Sequence, residues 1–253
     1  MKPIWLMALG GALMWANAAC AADAAPVPDY IQAAVANPDR PAADKEHDAA
    51  RKPAAMLVFA GIKPGDKVVD LIPGSGYFTK IFSKAVGPTG HVYAFIPSEL
   101  DAMMAKHGHS LPKADPKYPN VTYLHMPVGK LTTPEPVDVV WTSQNYHDLH
   151  DKFFGPANLA DVNKAIFNAL KPGGTYIVLD HSAPAGSGLS DTETLHRIDE
   201  AVVKSEVTAA GFVLDGESNA LRNKNDPRTA KVFDPSIRGH TDQFILKFRK
   251  PAK

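Results

Sequence analysis

The chain has 253 residues, 45% of them hydrophobic, with 27 Lys and Arg balanced by 27 Asp and Glu. That apolar content suffices for the core of one ordinary domain, and a formal charge of zero gives no field that would gather nucleic acid or an anionic membrane surface. A single cysteine, Cys20, excludes an internal disulfide and a cysteine-rich metal site.

Lys2 precedes an apolar run from Ile4 to Trp15 that is too short to cross a bilayer as a helix and reads as a secretory signal peptide, residues 1–21. Ala19-Cys20-Ala21 is an A-x-A cleavage site that leaves Ala22 as the new N-terminus. Asn17, where a lipoprotein signal usually carries Leu, argues against lipidation of Cys20. The expectation is a periplasmic or secreted protein without stable membrane insertion.

Residues 22–50 predict an N-terminal arm with one short helix, anchored by Tyr30, Ile31 and Val35, and residues 51–253 predict one α/β domain. Asp44 to Gly61 has helical pattern, with Met56, Leu57, Phe59 and Ala60 near its end and Gly61 as its stop. Lys63-Pro64-Gly65-Asp66 is a turn, and Lys67 to Ile72 is a β-branched run suited to a strand buried on both faces. Further strands are expected at 91–96, 121–125, 137–142 and 174–181, alternating with helical or turn segments as in a parallel sheet. A helix is expected from Asp191 to Ala210, with Ser190 and Glu193 as a capping box, Leu195, Ile198, Val202 and Val207 as its apolar stripe and Gly211 as its stop. Two closing strands, 212–217 and 243–249, flank an aperiodic polar stretch from Ser218 to Asp242, long enough to cover a site.

Ligands of an open parallel sheet bind at the carboxyl ends of its strands, where a tight turn and a helix N-terminus present backbone N–H groups. After the first strand comes Val69-Asp70-Leu71-Ile72-Pro73-Gly74-Ser75-Gly76-Tyr77-Phe78-Thr79, an acid at the strand end followed by two glycines where backbone must approach a ligand. A nicotinamide-binding G-x-G-x-x-G needs glycine where Thr79 stands. Val86-Gly87-Pro88-Thr89-Gly90-His91-Val92-Tyr93-Ala94, Val137-Asp138-Val139-Val140-Trp141 and Leu170-Lys171-Pro172-Gly173-Gly174-Thr175-Tyr176 follow in order.

From about Arg51 to Arg249 the chain resembles class I S-adenosylmethionine-dependent methyltransferases, most of all small exported proteins filed as predicted methyltransferases of unknown substrate. The resemblance implies a Rossmann-like, seven-stranded, mostly parallel sheet with an antiparallel last strand and helices on both faces. It also implies S-adenosylmethionine lying over the loop, with Asp70, Gly74, Ser75 and Gly76 at the cofactor. The sequence departs from the family pattern in three places. Ile72 takes the first glycine position, Ile96 takes the place of the ribose-binding acid, and His125-Met126-Pro127-Val128 has no adenine-contacting acid. Glu99, three residues after Ile96, is the candidate substitute at the ribose.

After the fourth strand, Trp141-Thr142-Ser143-Gln144-Asn145-Tyr146-His147-Asp148-Leu149-His150-Asp151 would border the substrate pocket. Methyl transfer requires a positioned acceptor and, for a hydroxyl, a base. His147 oriented by Asp148 is the first candidate and His181, after Asp180, the second; capping or backbone bonding by His147 and His150 is the plain alternative. His147, His150, His181 and Asp148 are also metal-ligand types, although their spacing alone establishes no metal. His196, His107 and His109 receive no role. The sequence thus points to an exported methyltransferase acting on a small molecule, or to a repurposed protein of the same fold that binds another ligand or a metal.

Overall fold

In the computed structural model, residues 26–155 and 157–252 are described; the expected signal peptide, its cleavage site and Cys20 lie outside them. Seven strands form one sheet in the order β3-β2-β1-β4-β5-β7-β6: β1 (Lys67–Leu71), β2 (His91–Pro97), β3 (Val121–Met126), β4 (Val137–Ser143), β5 (Leu170–His181), β6 (Val213–Ser218) and β7 (Gln243–Arg249). β1 to β5 are parallel, and β7 inserts antiparallel between β5 and β6. The expected strands are all present, and the sheet is the mostly parallel one that the resemblance implies.

Period-two alternation divides the strand residues between two cores. Val69, Leu71, Tyr93, Phe95, Val140, Tyr176, Val178, Phe244, Leu246 and Phe248 pack on one face with the helices α5 (Leu159–Ala169) and α6 (Glu200–Ala209). Val68, Val92, Val139, Trp141, Ile177, Leu179 and Ile245 pack on the other with α1 (Asp29–Ala36), α2 (Pro53–Ala60) and α3 (Tyr77–Val86). The N-terminal arm therefore contributes to the core: Ile31 and Ala34 are buried, and the Tyr30 hydroxyl donates to the Ile62 carbonyl at 2.7 Å. A further helix, α4 (Asp101–Lys106), follows β2.

Two expected helices are broken. Asp44 to Gly61 is three pieces, Ala42–Lys45, Asp48–Arg51 and α2, the last two parted where Lys52 is left-handed (φ +46°) immediately before Pro53. A residue before proline disfavours the helical region, and proline opens a new helix at its first position. Asp191 to Ala210 is likewise divided into Thr192–Leu195 and α6, with His196 left-handed at φ +55°. Asp199, not Ser190, caps α6, accepting from the Ala201 N–H at 3.0 Å. The break places Arg197 and Ile198 in the interior: Arg197 donates to Asp226 and to the Ser182 and Ala230 carbonyls, and Ile198 bridges to Ser182. Helical periodicity in the sequence does not register a buried arginine paired with an aspartate 29 residues away.

Candidate active site

The carboxyl ends of β1, β4 and β5 meet the late loop around a cavity of about 880 Å³. Its floor is the loop 72–76, in which Ile72, Gly74 and Gly76 all have positive φ, +59°, +56° and +78°. Glycine enters this region freely, whereas a β-branched residue is a genuine outlier there. Ile72 thus adopts a backbone conformation that glycine enters without strain, at a cost of roughly 1–2 kcal/mol. Two contacts hold it: the Ile72 N–H donates to the Phe95 carbonyl at 2.9 Å, and Asn145 Nδ2 donates to the Ile72 carbonyl at 3.0 Å. Gln144 (φ +63°) and His196 are further left-handed non-glycine residues, and both line the cavity. Such strain persists where the surroundings over-determine it, and it clusters at functional sites.

Asp70 is buried beneath the loop, where its carboxyl accepts from the Thr79 hydroxyl at 2.6 Å. Burial pushes its pKa up to about 6, against the Thr79 hydrogen bonds and the nearby Arg51 charge. Arg51, Asp70, Gly74, Ser75 and Asn145 line a smaller recess of about 150 Å³ that also abuts Ile72, Pro73 and Gln144, residues shared with the main cavity. A side chain at Gly74 would point into open space, and Ser75 is exposed beside it.

Glu99 does not serve the cavity. Its carboxylate accepts from the Val128 N–H at 3.0 and 3.1 Å, tying the turn after β2 to the turn after β3. Ile96, Leu100, Met103 and Met104 line the cavity there instead. The structure thus sets Glu99, the candidate for the ribose, on the Val128 backbone and outside the residues that line the cavity.

His147, the first candidate for the base, is held between two acids. Asp180, buried under the end of β5, accepts from the His147 N–H at 2.8 Å and meets its Nδ1 at 2.8 Å, while Asp148 Oδ1 lies 3.2 Å from Nε2. Burial alone would lower the His147 pKa, but the two carboxylates outweigh it and raise it to about 10. Two acids that favour the charged form of the ring make it a weaker candidate for taking a proton at neutral pH than a neutral imidazole would be. Burial also opposes ionisation of Asp148, yet its contacts to His147 and His196 hold it below the usual carboxylate range.

His181 has the opposite character. Burial lowers its pKa to about 4, Asp180 opposing and the His147 and Arg197 charges adding to the shift. Its Nδ1 lies 2.8 Å from Thr241 Oγ1, its ring is 6.2 Å from that of His147, and it lines the cavity. A neutral imidazole is thus set beside an imidazolium, separated in charge by their neighbours.

Sequence reasoning did not single out Arg51, Asn145, Asp180 or His196 as site residues. Asp180 stood next to a chosen histidine and carried that signal; His196 carried none, since its position depends on the break at 196. The polar stretch 218–242 does reach the site, through Val232 and through Phe233, whose ring packs edge-on against His196 at 5.0 Å. Arg222 ties that stretch to α6, paired with Glu200 at the helix start and with Asp242.

Residues 44–198, more than half of the chain, match the ubiE/COQ5 methyltransferase family. The chain belongs to this family. It is 27% identical over 194 residues to the ubiquinone/menaquinone biosynthesis C-methyltransferase UbiE of Pseudomonas aeruginosa, covering 76% of this chain and 65% of that protein. The UbiE of Psychromonas ingrahamii is 30% identical over 191 residues, covering 74% of this chain and 65% of that protein. The chain thus spans about 65% of the length of these curated relatives. Among solved structures, a putative sarcosine dimethylglycine methyltransferase from Galdieria sulphuraria superposes with a TM-score of 0.55 at 14% identity, over 83% of this chain and 88% of that one. That likeness shows the shared fold.

Proposed function

We propose that this family member is an exported S-adenosylmethionine-dependent methyltransferase acting on a small molecule. The observation that carries the reading is the meeting, around one cavity, of the left-handed loop 72–76 and the neutral imidazole of His181. The residues fit the cofactor's amino-acid end well: the loop backbone is open at Gly74, a helix starts at Tyr77, and Arg51 and Asp70 offer opposite charges in the adjoining recess. Ile96, Leu100, Met103 and Met104 supply an apolar wall for a purine. S-adenosylmethionine supplies an electrophilic methyl group on a sulfonium.

The chain's own task is to position an acceptor and manage its proton. In the tautomer that donates Nδ1–H to Thr241, His181 keeps its Nε2 lone pair for an acceptor hydroxyl. His147 and its two acids hold fixed charge beside it. Phe153, Phe154, Val232 and Phe233 favour an apolar or ring-bearing acceptor, consistent with relatives named for ubiquinone and menaquinone biosynthesis. Export is supported by the signal-peptide pattern of residues 1–21, and no helix among the described residues is long and apolar enough to cross a membrane.

One observation favours a second reading, a repurposed binding protein: Ile96 replaces the ribose acid while Glu99 is engaged by Val128. Calorimetric titration of the mature chain with S-adenosylmethionine and S-adenosylhomocysteine separates the two. Micromolar binding is expected; a folded sample that binds neither overturns the enzyme reading in favour of the second. N-terminal sequencing of protein recovered outside the cytoplasm tests export, with Ala22 expected first.

A further inference from the structure

We infer that His147, Asp148 and His196 form a binding site for a divalent metal ion of the zinc class, open to the cavity. One donor atom from each, all within 4.8 Å of one another, can face a common point. Asp148 Oδ1 lies 3.2 Å from His147 Nε2 and 3.7 Å from His196 Nδ1. Bonds of about 2.0–2.2 Å to nitrogen and carboxylate oxygen put tetrahedral neighbours about 3.4 Å apart, so these two spacings straddle the value an ion requires.

Three further features of the structure serve such an ion. Asp180 grips His147 twice, at the backbone N–H and at Nδ1, so the ring can turn only its Nε2 toward Asp148; a bound ion takes the place of the Nε2 proton, which is released to solvent. A carboxylate behind a histidine is how metal-binding imidazoles are oriented and made more basic. His196 reaches the cluster only because its backbone is left-handed, and its ring is braced against Phe233; a conformation costing about 1 kcal/mol or more is retained there. Asp151, 2% exposed and close to all three residues, has among the described residues only the Thr192 side chain near its carboxylate as a donor, and that contact falls short of good hydrogen-bond geometry. A buried acid with so poor a donor is costly, and a neighbouring cation offsets that cost through space.

Two histidines and one carboxylate make the ligand set of a catalytic rather than a structural zinc site, with a coordination position left for a small molecule. Here that position faces the cavity that holds the glycine loop, and it would take an oxygen or sulfur donor. That this donor belongs to the methyl acceptor rests on the methyltransferase reading; the metal site does not.

The test is titration of the tag-free, chelator-treated full chain with Co²⁺, followed by its visible absorption, and competition with Zn²⁺. One equivalent giving the spectrum of a four- or five-coordinate ion is expected. His196→Asn, which tolerates the left-handed backbone, and Asp148→Asn should each weaken binding at least ~10-fold, and Asp180→Asn by ~10–100-fold through His147, with thermal unfolding confirming that each variant is folded. No uptake by the folded wild-type chain overturns the site. So does unchanged affinity in the folded ligand variants, or loss of binding on replacing His107 and His109, an adjacent pair on an exposed turn. S-adenosylmethionine binding is not part of the readout, so failure of the cofactor reading leaves this test intact.

Discussion

Asp70→Asn should make the protein more stable at neutral pH while weakening its hold on the cofactor. Burial raises the Asp70 pKa from 3.8 to about 6, so the folded state binds this proton more tightly than the unfolded chain does. The associated stability is fully present below pH 3.8 and is lost as pH rises through about 6. At roughly 1.4 kcal/mol per pKa unit, the loss above pH 6 amounts to about 3 kcal/mol. About 1 kcal/mol of it is already gone at pH 4.5, which leaves about 2 kcal/mol to be lost between pH 4.5 and 7.5. Asparagine keeps an oxygen for the Thr79 hydroxyl and carries no charge, so it removes this pH dependence; whatever its added amide hydrogens cost applies at both pH values and cancels. Urea unfolding of wild type and variant at both pH values measures the difference. The variant's advantage should grow by about 2 kcal/mol from pH 4.5 to 7.5, worth about 4–8 °C in Tm for a domain of this size. A change below about 0.5 kcal/mol would refute the claim that Asp70 is held against its charge. Binding of S-adenosylhomocysteine should weaken in the same variant, since the carboxylate lies under the loop on which the cofactor is placed.

The assignment of His181 makes a pH prediction opposite to that of an ordinary histidine: with its pKa lowered to about 4, the base remains unprotonated down to that pH, so the acid limb of kcat should fall near 4. A limb near 6.5 would count against it. His181→Ala should abolish turnover while leaving S-adenosylhomocysteine affinity nearly unchanged, as for a residue acting only in the transition state; equal loss of both would assign it to cofactor binding. Arg197→Met should destabilise the fold by about 3–5 kcal/mol, because it strands Asp226 in the interior, and proteolysis should then begin within residues 219–242, which that pair holds in place. Cleavage elsewhere first would show that the loop is anchored independently.

The strand pattern and the glycine loop were legible because they depend on near neighbours. Burial on both faces demands runs such as Val68-Val69 and Ile177-Val178-Leu179, and the turn from β1 into α3 needs residues that tolerate positive φ at 74 and 76. Ile72 shows the limit of such reading: a β-branched residue gives no sign of positive φ, yet contacts from Phe95 and Asn145 hold it where glycine would be at ease. The helices misread at 44–61 and 191–210 failed for a related reason. Periodicity scores side chains one by one and misses the left-handed residues Lys52 and His196 that redirect the chain.

The histidines draw the sharper contrast. Their sequence positions correctly marked the ends of β4 and β5 as the place of interest, and residue type alone made both His147 and His181 candidates for a base. Which of them is neutral was decided by the tertiary structure, because a pKa depends on burial and on charges within a few ångströms whatever their separation along the chain. Asp180, 33 residues from His147, turns that ring into a cation, and the cation in turn helps to keep His181 neutral. His196 joins them only through a backbone break that no local pattern announces. Sequence by itself determined the order of strands and helices and the position of the loop, which rest on local propensity and alternation; the assignment of charge and of chemical role within the site rests on contacts that exist only once the chain has folded.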